Sequence, residues 1–221
     1  MPAPVPEARL EKKGAAWLPR RAPGFHGLAL QRADEVLSGQ WRVFSRLMGL
    51  GFPPEWNRNP DKEVLLPLGD GARMALDDTA ALGDIKYLRE LNRHRELVVL
   101  AQAWQITGRA HYLDGIALLL ESWFAQCPHP RGANWSSALE ASIRLINWAT
   151  VWQLLGGIES PLFDRPVGKV LRIDWLNSVW RHAEFIRGCH ARGASGGHPL
   201  IGELAGLFVA GATWPLWDEA R

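Results

Sequence analysis

The sequence predicts an all-α fold, and three observations carry that expectation. Apolar residues recur at helical spacing through most of the chain, strand-like alternation is nowhere sustained, and glycine or proline punctuates the periodic runs. With 221 residues, 47% of them hydrophobic, the chain can bury a sizeable core.

Residues 1–33 are rich in Pro, Arg and Gly without a steady period, and read as an irregular tail with at most a short helix. A helical domain is expected over 34–221. Val36, Leu37, Trp41, Phe44 and Met48 fall close to helical spacing, which predicts a first helix or helix-turn piece between Ala33 and Leu50. From Gly51 to Thr79, Pro53, Pro54, Pro60 and Pro67 with Gly69 and Gly71 break helices and forbid central strands. A long irregular connection of this kind often sits at a binding face. Asp84 then opens a helix to about Ile106, with Ile85, Leu88, Leu91, Val98, Val99 and Ala103 on its apolar face and Thr107-Gly108 as the stop. A second runs from about Ala110 to Gln126 and ends before Pro128. Ser136 is a plausible N-cap for a third, which reaches about Leu155 and is closed by Gly156-Gly157. A fourth is expected over Val167 to Arg187, then a Gly-rich turn from Gly193 to Gly197, and a last helix from Pro199, suited to position N1, to about Ala212. Short and medium connections make consecutive helices antiparallel neighbours. A compact bundle and an arc of helical hairpins belonging to an α/α toroid both satisfy that pattern.

Composition narrows the partners. Lys and Arg total 25 against 23 acids, too even a balance to advertise nucleic acid or an anionic membrane. No run of about 18 apolar residues occurs, and Met1 to Gly14 lacks the apolar core of a signal peptide, so the chain as written reads as cytoplasmic. Cys127 and Cys189 belong to no CxxC pair and read as small buried hydrophobes, and His111, His129, His182 and His190 show no ligand spacing; neither a metal nor a cofactor is expected. The 12 tryptophans could stack on sugar rings or fill helix cores; Trp148 and Trp152, four apart on one helix, read as packing residues.

Polar residues among the apolar positions of 84–141 suggest two walls of one cleft. Asn92, Arg93 and His94 would point in directions roughly 100° apart on a continuous helix, so they cannot all face one site. Either one of them orders a neighbouring loop, or Asn92 or His94 lines the cleft while Arg93 meets an acid or an anionic ligand. Asn134 and Trp135 precede a helix N-terminus, where Asn134 would hydrogen-bond and Trp135 stack on a sugar, or cap and plug the loop. Glu140 and Arg144 stand in the acid-first i,i+4 order of an internal salt bridge. His198 follows a Gly-rich turn that lets backbone approach a ligand. Glu203 falls in the first turns of the last helix, where it can serve that N-terminus or pair with an arginine.

Three runs in order, Gly83–His94, Arg131–Glu140 with Arg144-Leu145-Ile146-Asn147-Trp148 behind it, and Leu200–Glu203 with Gly206-Leu207-Phe208, resemble the N-terminal α/α-toroid domain of heparinase II/III-like polysaccharide lyases. The resemblance covers roughly 33–221. It implies an incomplete α/α toroid of antiparallel helical hairpins and β-elimination on a uronate-containing polysaccharide of heparan sulfate or alginate type. Substrate-binding positions are then Asn92, Arg93, His94, Asn134, Trp135, Glu140 and Glu203, and the catalytic position is His198. His198-Pro199 stands where the family has an Asn-His pair whose amide neutralises the uronate carboxylate. The family's catalytic Tyr, a further His and a β-sandwich domain lie downstream, so the chain reads as a fragment whose exposed toroid faces could self-associate. Tyr87 and Tyr112 do not match that catalytic Tyr. The resemblance also implies a periplasmic site of action, against the cytoplasmic reading above. A carbohydrate binder or helical scaffold that kept the cleft without the chemistry is the alternative.

Overall fold

The computed structural model describes residues 23–191 and 199–215. Eight α-helices dominate them, joined by two small antiparallel strand pairs and short 3-10 turns. Helix α1 spans Pro23–Leu37, earlier than the expected start at Ala33. The expected helical continuation to Leu50 is instead a hairpin, β1 (Gln40–Val43) against β2 (Arg46–Gly49), with Trp41 opposite Met48. Gly39 ends the helix at φ 81, and a Cβ there would meet the Gly51 backbone at 3.0 Å. Beyond it Trp41 and Val43 alternate inward, each 1% exposed, and Trp41 Nε1 donates to the Gly51 carbonyl at 2.8 Å.

Residues 51–79 form the expected long connection, with only the strand pair β3 (Arg58–Asn59) and β4 (Val64–Leu65) and a 3-10 turn at Gly71–Arg73. A short helix α2 (Thr79–Leu82) follows. The helix expected from Asp84 to Ile106 is two: α3 (Ile85–Leu91), capped by the Asp84 carboxylate on the Lys86 N–H, and α4 (Arg95–Thr107). His94 breaks the run in the left-handed region, φ 60. Helix α4 ends at left-handed Gly108; α5 (Ala110–Gln126) and α6 (Ala138–Leu155) match expectation closely, with Ser137 rather than Ser136 as the N-cap of α6 and left-handed Gly156 as its stop. Helix α7 (Gly168–Ala191) and α8 (Pro199–Thr213) complete the described chain.

The hairpins α4/α5 and α6/α7 stand side by side, and α8 packs on α6 and α7. Helices α4 and α6 run parallel, because Arg93 at the head of one meets Glu140 at the head of the other at 2.8 Å, while Gln105 near the tail of α4 reaches Leu154 near the tail of α6. Helix α8 continues the row: a Cβ on Gly202 would strike Leu139 at 2.5 Å and one on Gly206 would strike Ser142 at 2.5 Å, so two glycines set that close approach. The result is an arc of an α/α toroid, with the starts of α4, α6 and α8 and the ends of α5 and α7 at one end.

The core between the two helix rows is tryptophan-rich. Trp123, Trp135, Trp148 and Trp175 are each at most 1% exposed, and Trp148 and Trp152 both pack edge-to-face on Trp175. The packing reading of Trp148 and Trp152 thus holds. No helix among the described residues is long and apolar enough to cross a membrane.

Candidate functional site

Loop 127–137 and the connection 51–79 are welded together at the end of the arc where the α4 and α6 helices start. Gly71 N–H donates to the Pro130 carbonyl at 3.1 Å, Gly132 N–H donates to the Gly69 carbonyl at 2.8 Å, and Asp70 pairs with Arg131. Gly71 has no substitute here: a Cβ would lie 2.7 Å from the Trp135 carbonyl oxygen and 2.8 Å from that of Gly132.

Behind this plate lies a buried polar core. Arg144, 1% exposed, donates from Nε to His182 Nε2 at 3.0 Å and from its terminal nitrogens to the carbonyls of Asn134 at 2.7 Å and Asn92 at 3.5 Å. Its guanidinium also lies 5.2 Å from the Trp123 ring and 5.7 Å from Trp135. Among the described residues no carboxylate bonds to it, and burial brings its pKa down to about 10. The expected Glu140–Arg144 pair does not form. Glu140 instead accepts both Nε and a terminal nitrogen of Arg93, at 2.8 and 2.9 Å, and Glu90 takes the other terminal nitrogen at 2.8 Å while also pairing with Arg95. The Glu140 hydrogen bonds and charge hold the Arg93 pKa above its ordinary value.

Obligate donors fix both buried imidazoles. Arginine can only donate, so His182 Nε2 accepts and Nδ1 carries the proton it gives to the Ser178 carbonyl at 2.6 Å. Tryptophan can only donate as well, so His94 Nδ1 accepts from Trp148 Nε1 at 2.8 Å and the proton sits on Nε2, which finds no partner. Burial first, and the Arg144 charge second, push both pKa values well below the ordinary histidine value.

Of the residues singled out in the sequence, the structure brings Asn92, His94, Asn134 and Trp135 together, but inside the protein. Asn92 is 0% exposed; its amide donates to the carbonyls of Trp56 and Leu88, and its oxygen accepts from Trp123 Nε1 at 2.9 Å. Asn134 donates to Asn57 Oδ1 at 3.2 Å and to Cys127 Sγ at 3.1 Å, and Trp135 Nε1 donates to the Cys127 carbonyl at 3.0 Å. The buried Cys127 thiol is pushed up to about 12. Arg93, 30% exposed, is the member of the set with substantial surface. Glu203 is buried on α8, Oε2 lacking a hydrogen-bond partner, and its carbonyl accepts from Ser142 Oγ at 3.5 Å. His198 lies outside the described residues.

Among the described residues, a groove along α7 is accessible at this end. A cleft of about 360 Å³ between α5 and α7, lined by His129, Asp174, Asn177 and Arg181, adjoins one of about 580 Å³ between Arg73, His129 and Glu184. Burial and the Arg181 charge lower the His129 pKa, leaving a neutral imidazole able to take a proton where the two clefts meet. Sequence reading passed over His129 for want of ligand spacing, yet it sits between Pro128 and Pro130 in the loop leading into Arg131. Among the described residues no group of three or more His, Cys, Asp or Glu side chains could hold a metal ion.

The family model described as Heparinase II/III N-terminus matches residues 50–221. The chain belongs to the heparinase II/III family. Two solved structures share the fold of this heparinase II/III chain: a heparan sulfate lyase HepC mutant from Pedobacter heparinus, at 18% identity and TM-score 0.64, and a heparinase III gene product with methylated lysines, at 19% and 0.63. Each alignment covers 87% of this chain but only 27% and 29% of the respective neighbour, so the chain spans less than a third of their length. No curated protein matches it.

Proposed function

We propose that this heparinase II/III chain supplies part of the toroid of a lyase that cleaves a uronate-containing polysaccharide by β-elimination. The observation that carries the reading is the family match over 50–221, on an arc whose end gathers the motif residues. The chemistry sets the demand: a base removes the C5 proton of a uronate, the electrons form the C4–C5 double bond, and the C4–O bond breaks as an acid protonates the leaving oxygen. That proton becomes acidic enough only when the neighbouring carboxylate is neutralised by donors or a cation.

In this reading His198 is the neutralising or proton-accepting group, and Arg93 presents its remaining donors to the anionic polymer, backed by Glu140. Asn92, His94, Asn134 and Trp135 act on substrate indirectly, by holding the loop 127–137 and the α3–α4 break in place. Glu203, buried on α8 where its carbonyl accepts from Ser142, holds α8 against α6. Heparan sulfate and alginate are the substrate types this reading favours. The test is ultraviolet absorbance of the unsaturated uronate product, with heparan sulfate, hyaluronan and alginate offered to this chain and to any longer gene product that contains it. A rise with the longer product supports the lyase reading; no rise with either overturns it.

A second reading is an acidic-polysaccharide binder or helical scaffold without the chemistry. Tyr112 is buried and donates to Asp34 at 2.9 Å, and the ring of Tyr87 packs against Phe44 and Arg46. On α8 the exposed Ile201, Leu204 and Phe208 suit self-association of copies under the same reading. Binding of polysaccharide without unsaturated product separates it from the lyase.

A further inference from the structure

A second cavity, of about 440 Å³, opens between α1, the β1–β2 hairpin, α4 and α6, away from the α7 groove. Three features of its lining belong together. Phe44 occupies the hairpin tip at φ 54, a conformation a bulky residue rarely takes, and stays 49% exposed while packing edge-on to Tyr87 at 5.1 Å. Arg32, Arg42 and Arg95 supply positive charge from three different elements. Glu96 lines the pocket with a carboxyl that is hydrogen-bonded to its own backbone while Oε2 has no partner among the described residues. An aromatic ring at the rim suits the apolar face of a sugar, and arginines suit its anionic substituents. The unpartnered oxygen completes the set, because a protonated carboxyl donates one hydrogen bond to an acceptor seated in the pocket.

We infer that this pocket is a subsite for an acidic saccharide unit, with Phe44 stacking on the ring, Arg32 and Arg95 facing its carboxylate or sulfo group, and protonated Glu96 donating to an oxygen of that group. The inference rests on the acidic-polysaccharide reading above and adds a place and a pH dependence to it. The charged groups around Glu96 are Arg32 and Glu35 on α1, Arg42 on the hairpin bonded to Glu35 at 3.0 Å, and Arg95 on α4 paired with Glu90 of α3; α6 contributes the uncharged Asn147. Burial lifts the Glu96 pKa to about 7 against an opposing backbone hydrogen bond and the Arg95 charge, so the donor form is populated near neutrality. An anion beside an ionised Glu96 is repelled, and an anion beside the acid is bound. Affinity therefore rises as pH falls, by about tenfold between pH 8 and pH 6 if only the protonated form binds.

The test is calorimetric titration of the whole chain with a size-defined heparan sulfate oligosaccharide and, separately, an alginate oligosaccharide, at those two pH values. Wild type should bind at least one of them, more tightly at the lower pH, with proton uptake. Glu96→Gln should keep the affinity and lose the pH dependence. Phe44→Asn, which tolerates the left-handed backbone, and Arg32→Ala should each weaken binding about three- to tenfold with unchanged melting temperature. If wild type binds but all three variants behave like it, the pocket is not the subsite, while the broader reading stands. If wild type binds neither oligosaccharide at either pH, the subsite and the polysaccharide reading fall together.

Discussion

Acid should loosen this protein well before its ordinary carboxylates titrate. His94 and His182 are held neutral in the fold, with pKa values depressed by burial and by Arg144. In the unfolded chain each returns to about 6.5. The unfolded state therefore binds more protons below that value, and the stability the two neutral imidazoles support is lost as pH falls beneath it, by up to about 1.4 kcal/mol per pH unit for each. Two histidines give about 3 kcal/mol per unit. Glu96 works the other way. Its carboxyl is raised to about 7, so it takes up a proton in the fold before the unfolded chain does, and between about pH 7 and 4.5 it returns up to about 1.4 kcal/mol per unit. The histidines win, and a net loss of about 1 to 1.5 kcal/mol per unit is expected between roughly pH 6.5 and 5. Urea unfolding followed by tryptophan fluorescence at several pH values measures it directly, since Trp123, Trp135 and Trp148 surround both imidazoles. Glu96→Gln removes the opposing group and should roughly double the slope. A stability that stays flat or rises from pH 6.5 to 5 in Glu96→Gln would refute the assignment of two neutral histidines.

Other outcomes follow from the same geometry. Arg144→Lys keeps the charge but cannot reach His182, Asn134 and Asn92 together, and should cost about 2 to 4 kcal/mol in chemical denaturation; an unchanged midpoint would show that the three bonds contribute nothing. Gly71→Ala places a methyl at 2.7 Å from the Trp135 carbonyl and should lower stability by about 1 to 3 kcal/mol, read as a lower melting temperature. Asn134→Ala should cost about 1 to 3 kcal/mol by stripping the loop of its amide contacts and should weaken polysaccharide binding through that loop, and His198→Ala should weaken polysaccharide binding with little effect on melting. If both leave binding intact, their assignment to the site is wrong.

The helices were most legible where glycine marks the stop. Gly108 and Gly156 both adopt the left-handed conformation that composition suggested, and α5 and α6 lie where their periodicity put them. The α3–α4 break escaped because the left-handed residue is His94, and a histidine leaves no compositional mark of a turn. The β1–β2 hairpin escaped for a different reason: Val36, Leu37, Trp41, Phe44 and Met48 fit a helical period, while the inward alternation of Trp41 and Val43 is too short to outweigh it. For the site, the sequence identified the polar residues but not their depth. Glu140 has an arginine four residues on, and pairs with Arg93 across 47 residues because Arg144 turns inward to carbonyls and an imidazole. No local spacing encodes that exchange of partners.

The interruption at His94 also explains how one hairpin recognises the next. In an unbroken helix the carbonyls of Asn92 and Arg93 would be spent on amides four residues ahead. Here the Arg93 carbonyl accepts Asn147 Nδ2 at 2.7 Å, and the Asn92 carbonyl accepts a terminal nitrogen of Arg144 at 3.5 Å, both from α6. Greasy helix faces can slide past one another by a turn at modest loss, whereas a side chain hooked onto a particular backbone oxygen cannot. The break acts as an indexing notch: it fixes the axial offset between the α4/α5 and α6/α7 hairpins, and with it the height at which loop 127–137 sits against the α3–α4 turn.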